Sequence, residues 1–372
     1  MAAGGPTIVI AAGGTGGHIY PGLSLAGAIA RAEPRTSVSF VGTARGMEGE
    51  LVPKAGYRLD LVEMVPFNNQ GWRKALVPVS LARGARQSRA LLRRLGADAA
   101  VTMGGYSGVP LVVGARLAGV PALIHEPGSV PGQANRFAAR FTRHVATSFP
   151  STEFGGREVR CTGYPLRPEM TAYDRQALRP AARAAYGIPP DVRMILVSGA
   201  SQGALTLNRL ALGLAERWAD RDDVRIVLKA GARTHQEIEV ALATNAGRHL
   251  VDLVGYIDHM DRAYAAADIA ICRAGAGTVT ELAVAGVPSV LVPLAVHEHD
   301  EQLHNAEPLV QAGGALLVRD ADASADVVGP LLEERLADPA ALARMGAALS
   351  GVARPAAADD LAAWVLELAG GR

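Results

Sequence analysis

Cysteine is scarce in this sequence of 372 residues, which has only Cys161 and Cys272, far apart along the chain. This excludes a CxxC metal or redox pair and is typical of proteins from a reducing compartment. Residues 1–20 contain no basic segment followed by an apolar stretch, so they do not resemble a signal peptide. The sequence therefore predicts a cytoplasmic protein.

A long apolar run is also absent. No stretch of about 18 apolar residues is free of glycine, proline and charge, so a membrane span is not expected. The formal net charge is only +1 at pH 7, which gives no reason to expect a nucleic-acid partner. Any membrane contact is then expected to be peripheral.

Short β-branched runs alternate with longer helical patterns, which predicts βαβ units and parallel sheets. Strands are predicted over 7–12, 38–41, 99–102, 122–125 and 144–147, and again over 194–198, 225–229, 249–253, 268–272 and 289–292. Both halves open on an apolar strand, a glycine-rich turn and an amphipathic helix. We therefore predict an α/β fold with two Rossmann-like domains and a ligand cleft between them. The boundary is predicted within 163–190, which contains five prolines.

The first glycine-rich turn, 13–18, follows a predicted strand and opens a helix. Helix N-termini attract anions, so Thr15, Gly16 and Gly17 are candidate ligand contacts; tight packing alone is the other interpretation of such a turn. A dinucleotide fingerprint would need glycine where the sequence has Ile19, and no P-loop lysine follows. His18 titrates near neutrality and could take a proton from an attacking hydroxyl, although a structural hydrogen bond is the alternative.

Two turns in the second half have the same character. In Gly199–Ala204, the Ser201 hydroxyl and the backbone amides around Gln202 could hold a diphosphate. In 273–281, small residues allow a nucleotide to approach the backbone, Thr278 can donate to a phosphate, and Glu281 can accept two ribose hydroxyls. A capping box, with Thr278 as N-cap and Glu281 three positions on, is the alternative.

No metal site is predicted. The run 297–301, HEHDE, lacks the HExxH spacing that places two histidines on one helix face. The DxD patterns at 220–222 and 320–322 are too short to indicate a metal–diphosphate site.

A basic segment spans 64–95, with seven basic residues and no acidic one. Phe67, Trp72 and aliphatic residues are interspersed among them. Such a segment suits contact with an anionic membrane surface, and a solvated helix face is the alternative.

Seven motifs carry a resemblance to a known family: GGTGGHIYPGL (13–23), GGY (104–106), HE (125–126), GYPLR (163–167), GASQGA (199–204), CRAGAGTVTE (272–281) and EQLHNA (301–306). In order and spacing, over nearly the whole chain, they resemble the MurG family, which transfers N-acetylglucosamine from UDP-GlcNAc to the undecaprenyl-linked muramyl-pentapeptide lipid I, forming lipid II. The resemblance implies a GT-B fold and inverting transfer without a metal or other cofactor, at the cytoplasmic face of the cell membrane.

The resemblance also implies a domain plan and site roles. Residues 1–165 would bind the acceptor and face the membrane, 166–350 would bind the UDP-sugar, and 351–372 would hold a C-terminal helix packed on the first domain. His18 would be the base and Glu126 a neighbouring acidic catalytic residue. The implied donor contacts are Arg167, Ser201 at the diphosphate, Ile257 at uracil through its backbone, Ala276 and Gly277 through N–H groups, Thr278 at phosphate, Glu281 at ribose, and Glu301 and Gln302 at the transferred sugar.

The sequence departs from the family pattern at three places. Gly128 and Tyr164 stand where the family has asparagine, and 295–300 is one residue longer. A MurG-like paralogue that glycosylates another lipid-linked acceptor is therefore an alternative. A UDP-sugar epimerase, which can share the two-domain fold, is the alternative of another class; a nicotinamide oxidoreductase and a non-catalytic sugar-nucleotide sensor are further ones.

Overall fold

The computed structural model describes residues 5–43, 46–64, 77–199, 204–294 and 300–371. These residues divide into two units, the first from 1–168 together with 354–372 and the second from 169–353. No helix within the described ranges is both long enough and apolar enough to cross a bilayer.

The first unit is a parallel sheet with helices on both faces. Its strands are β1 (Thr7–Ala11), β2 (Ser37–Gly42), β3 (Arg58–Leu61), β4 (Ala99–Thr102), β5 (Ala122–Glu126), β6 (His144–Thr147) and β7 (Glu158–Cys161). They lie in the order β3-β2-β1-β4-β5-β6-β7, and every neighbouring pair is parallel. The helices are α1 (Gly16–Ala32), α2 (Glu48–Lys54), α3 (Val77–Leu95), α4 (Gly108–Ala118), α5 (Gln133–Ala138) and α15 (Ala357–Gly370).

Side chains of β1 alternate between two apolar cores, as the period of two of a strand requires. Ile8 and Ile10 face a core shared with α1 and α15, whereas Val9 and Ala11 face a core shared with α3, α4 and α5. Burial on both faces explains why these strands read as continuous apolar runs rather than as alternating ones.

The helix α15 packs on α1 and completes the first of these cores. Leu361, Trp364 and Val365 are buried there. At its edge Arg160 lies 4.4 Å from the centre of the Trp364 ring and pairs with Glu367 at 3.0 Å. The C-terminal helix that the family resemblance implies within 351–372 is present and spans Ala357–Gly370.

The second unit repeats this architecture. Its strands are β8 (Arg193–Ser198), β9 (Val224–Lys229), β10 (Val251–Val254), β11 (Ile269–Cys272), β12 (Ser289–Leu291) and β13 (Ala315–Leu317). Its helices are α6 (Pro168–Thr171), α7 (Arg175–Ala185), α8 (Leu205–Arg217), α9 (His235–Ala243), α10 (Met260–Ala266), α11 (Ala276–Ala285), α12 (Glu301–Gln311), α13 (Ala325–Ala337) and α14 (Pro339–Ala348). The strands lie in the order β10-β9-β8-β11-β12-β13, all parallel. The predicted α/β class with two Rossmann-like domains is confirmed.

In each unit the second and third strands are added on one side of the first strand, and the later strands are added on its other side. This reversal falls between β1 and β4 in the first unit and between β8 and β11 in the second. Open parallel sheets bind ligands beyond the carboxyl ends of their strands at such a reversal. The glycine-rich turns predicted from the sequence follow these same strands.

Candidate active site

The turn after β1 leads directly into α1. Gly14 has φ +93°, a conformation that favours glycine, and Thr15 is extended at the N-cap of α1. The backbone N–H groups of His18 and Ile19 donate to the Thr15 carbonyl at 3.1 and 3.2 Å. Gly16 and Gly17 begin the helix, so their N–H groups have no acceptor within it and are available to a ligand.

The ring of His18 packs against two glycines at the end of β4. Gly104 and Gly105 have φ +96° and +77°. A Cβ added at Gly104 would lie 3.1 Å from the His18 ring, and one at Gly105 3.3 Å from it. Burial lowers the pKa of His18, while a hydrogen bond with the Gly13 backbone and the charge of Glu48 raise it. Because burial has the largest effect, the ring is neutral at pH 7 and can accept a proton.

Glu48, the first residue of α2, is a site residue that sequence analysis missed. It is fully buried. One carboxylate oxygen accepts the Gly14 N–H at 3.0 Å, and the other accepts the N–H and hydroxyl of Thr43 at 2.9 and 3.1 Å. The carboxylate therefore ties the His18 turn to the end of β2. The signal in the sequence was three glycines that leave room for Glu48. An added Cβ at Gly13 would lie 2.7 Å from the Glu48 carboxylate, and one at Gly42 would lie 2.5 Å from the Glu48 Cγ. One at Gly46 would lie closer still to the carboxylate.

Glu126 ends β5, and its carboxylate holds the loop that follows. It is 3% exposed. It accepts the N–H groups of Gly128 and Gly132 at 3.1 and 3.0 Å and the side-chain amide of Asn135 at 2.9 Å. A Cβ added at Gly104 would lie 3.5 Å from the nitrogen of the same Asn135 amide. Gly104 therefore lies between this amide and the His18 ring. The catalytic role of Glu126 stays a prediction; its observed contacts organise residues 127–135.

The segment 163–167 contacts the beginning of α1. The Tyr164 hydroxyl donates to the Gly17 carbonyl at 2.9 Å. The Arg167 guanidinium lies 4.2 Å from the centre of the Tyr20 ring, within the range of a cation–π contact. The structure therefore brings Arg167 and the His18 turn into one neighbourhood of the first unit.

In the second unit, α11 begins where a nucleotide contact was predicted. Its N-cap is Gly275, and Ala276, Gly277 and Thr278 are its first three residues. The capping-box alternative is therefore wrong, because the helix starts three residues before Thr278 could cap it. The N–H groups of these three residues lie at the carboxyl end of β11, beside β8.

Glu281 lies one turn further along α11. One of its carboxylate oxygens accepts the Tyr264 hydroxyl at 2.9 Å. Tyr264 is 1% exposed and belongs to α10. Ile257 lies in the loop between β10 and α10 with its side chain buried. The backbone of this loop and the Glu281 carboxylate were both predicted to contact the nucleoside, and these roles stay predictions.

Glu301 and Gln302 are the first two residues of α12. Asp300 precedes them in a left-handed conformation with φ 43°, and the Gln302 side chain accepts the Leu294 N–H at 2.9 Å. Ser201, Gln202 and most of the 295–300 segment lie outside the described residues, as do residues 65–76 of the basic segment. In the part of the chain that is described, no group of three or more His, Cys, Asp or Glu side chains is arranged to hold a metal ion.

Comparisons with known proteins match the whole chain. Residues 8–147 match the glycosyltransferase family 28 N-terminal domain, and residues 194–361 match its C-terminal domain. The chain is 41% identical to a UDP-N-acetylglucosamine–N-acetylmuramyl-(pentapeptide) pyrophosphoryl-undecaprenol N-acetylglucosamine transferase from Nocardioides, over 97% of this chain and 98% of that protein. It is 39% identical to the protein of the same name from Streptomyces avermitilis, with the same coverage.

A solved structure supports the same assignment. The crystal structure of MurG from Acinetobacter baumannii is similar with a TM-score of 0.78 and 26% identity, covering 97% of this chain and 99% of that one. The chain therefore belongs to glycosyltransferase family 28 and, within it, to the MurG family.

Proposed function

We propose that this enzyme transfers N-acetylglucosamine from UDP-N-acetylglucosamine to an N-acetylmuramyl-(pentapeptide) pyrophosphoryl-undecaprenol acceptor. The 41% identity to a transferase of that name over nearly the full length of both chains carries the proposal. The neutral, partly buried His18 in a turn with available N–H groups supports it, since this is the environment a general base needs.

In the proposed reaction His18 removes the proton from the acceptor hydroxyl. The hydroxyl oxygen then attacks the anomeric carbon from the face opposite UDP, the bond to the diphosphate breaks, and the configuration inverts. The first N–H groups of α11 stabilise the negative charge that develops on the leaving diphosphate. Preorganised donors of this kind need no reorientation during the reaction, which is why they lower its barrier effectively.

The alternatives drawn from the sequence are not favoured. Two relatives at 39–41% identity over 97% of this chain share the same named transferase activity. A paralogue would use another acceptor, and a UDP-sugar epimerase would catalyse another reaction. Neither corresponds to the activity that these relatives share.

The direct test incubates the purified enzyme with labelled UDP-N-acetylglucosamine, with and without the lipid-linked acceptor. We expect labelled lipid product only when the acceptor is present. Conversion of the donor without acceptor would support the epimerase instead, and transfer from other UDP-sugars but not this one would support the paralogue.

Replacing Glu281 is expected to weaken donor binding. Two hydrogen bonds from ribose hydroxyls to a charged carboxylate would be lost, each contributing about 1.5–3 kcal/mol. In Glu281→Ala we expect the Kd for UDP, measured by calorimetry without acceptor, to rise at least 10-fold, in line with one such bond. Tyr264→Phe is the matched control, since it removes the Tyr264 hydrogen bond to Glu281 and leaves the carboxylate. An unchanged Kd in Glu281→Ala would contradict the ribose role.

We also propose that the first unit rests on the cytoplasmic face of the membrane through α3. Five arginines of this helix are exposed: Arg83, Arg86, Arg89, Arg93 and Arg94. The helix has no acidic residue, and its buried residues, such as Leu92, face the sheet. Two of the arginines pair with acidic residues outside the helix, Arg83 with Glu63 at 3.8 Å and Arg94 with Asp60 at 2.8 Å.

Neutralising part of this surface is expected to weaken vesicle binding. Each cation near an anionic membrane contributes about 1 kcal/mol, so changing Arg83, Arg86 and Arg89 to glutamine should weaken binding to vesicles containing anionic lipid by about 100-fold at low salt. The control carries the same loss of charge at exposed arginines of the second unit, Arg209, Arg248 and Arg344. Equal binding by the two triple variants in a sedimentation assay would argue for a merely solvated helix.

A further inference from the structure

The helix that carries His18 has a defect in its first turns. Pro21 lies inside α1 as its sixth residue. Proline has no backbone N–H, so it cannot donate to the carbonyl four residues earlier. That carbonyl belongs to Gly17, the immediate neighbour of His18. The hydrogen bond that would close this turn is therefore missing from the helix itself.

A side chain distant in sequence supplies a donor at this position. The Tyr164 hydroxyl donates to the Gly17 carbonyl at 2.9 Å, across 147 residues of chain. Tyr164 is 7% exposed, so its ring is fixed by packing while the hydroxyl reaches the carbonyl. The hydroxyl thus takes the place of the N–H that Pro21 lacks.

The backbone beside Tyr164 is itself anchored. Burial lowers the pKa of His125 to about 4, so its ring is neutral, and its Nε2 lies 3.1 Å from the Gly163 carbonyl. The rings of His125 and Tyr164 meet edge to face at 6.3 Å. Gly163 has φ +93°, and a Cβ there would lie 2.9 Å from that of Ala357. The hydroxyl is therefore presented from a rigid support.

We propose that Tyr164 is a positioning residue for His18: its hydroxyl replaces the hydrogen bond that Pro21 removes and so fixes the first turn of α1. This rests on the proposed role of His18 as base. It also gives a role to one departure from the family pattern, because the hydroxyl of Tyr164 is engaged by the helix.

The test is Tyr164→Phe, which removes a single oxygen atom. We expect faster amide hydrogen exchange in residues 16–22 and a fall in kcat on the order of 10-fold, because small displacements of a catalytic group slow a reaction strongly. The KM for UDP-N-acetylglucosamine should stay within about twofold, because the turn acts on the attacking acceptor hydroxyl. The interactions that bind the donor equally in the ground state and the transition state are retained.

Tyr173→Phe is the matched control. Its hydroxyl also donates to a backbone carbonyl, that of Asp261 at 3.1 Å in the second unit. A general loss of stability would affect both variants alike, whereas the proposal expects the slower turnover only in Tyr164→Phe.

Two results would overturn the proposal: unchanged exchange in residues 16–22, or faster exchange with unchanged kcat. If His18 is not the general base, His18→Gln will retain activity although Tyr164 is unchanged. That result is therefore distinct from a failure of the Tyr164 proposal. The exchange measurement still reports on the hydrogen bond to Gly17 in that case.

Discussion

Replacing His18 with glutamine is expected to lower kcat by about 10²- to 10⁴-fold, the range that general base catalysis contributes. Glutamine retains polarity and approximate size but cannot take a proton. The binding of UDP should be unaffected, because the predicted nucleoside contacts belong to the second unit. Steady-state transfer and UDP titration on the same preparation measure the two effects.

The pH dependence gives a second signature of His18. Burial lowers its pKa below the usual 6.5, so the base form predominates at neutral pH. We expect kcat/KM to fall on the acid side with a midpoint below 6.5, and this fall to disappear in His18→Gln. His144→Gln is the control, since His144 begins β6, at the end of the sheet opposite the turn. Near-normal turnover in His18→Gln would remove the base assignment.

Replacing Glu48 is expected to have the largest effect on stability. Glu48→Ala removes the acceptor of the partly buried Gly14 N–H and of the buried Thr43 N–H, and we expect the free energy of unfolding to fall by about 3 kcal/mol. For a unit of this size the melting temperature should drop by about 9 °C. Glu50→Ala, two positions on in α2 and exposed, is the control. Equal melting of both variants would show that the buried carboxylate contributes little.

The charge of Glu48 should also be visible in catalysis. Because that charge raises the pKa of His18, Glu48→Gln should move the acid limb of kcat/KM to lower pH. A shift towards higher pH would instead show that the turn had opened and that His18 had lost its burial. The direction of the shift therefore separates an electrostatic effect from a structural one.

The central strands of both sheets were predicted from the sequence because each is an apolar run buried on two faces. β3, β7 and β13 were missed, and all three lie at sheet edges. They have three or four residues each and are only partly buried, so β3 reads RLDL and β7 reads EVRC, without an apolar run. Edge position removes the burial that makes a strand recognisable.

The candidate site was predictable where local sequence determines it and not where distant residues meet. The glycine turns and His18 could be found because strand, turn and helix follow one another in the chain. The pairing of Glu48 with Gly14, or of Tyr164 with Gly17, spans 34 and 147 residues and depends on which strands become neighbours. The capping-box alternative placed the N-cap of α11 at Thr278, whereas Gly275, which has no side-chain acceptor, is the N-cap.

The position of α15 has a consequence for how the protein is made. Leu361, Trp364 and Val365 belong to a helix that completes a core whose other buried residues come from positions 8–146. During synthesis, the sheet of the first unit therefore leaves the ribosome with part of its apolar surface uncovered, until the whole second unit has followed. Domains commonly fold in the order in which they emerge. Here the second unit can finish folding before the first. The time needed to synthesise the second unit sets how long that surface stays exposed to chaperones and to aggregation.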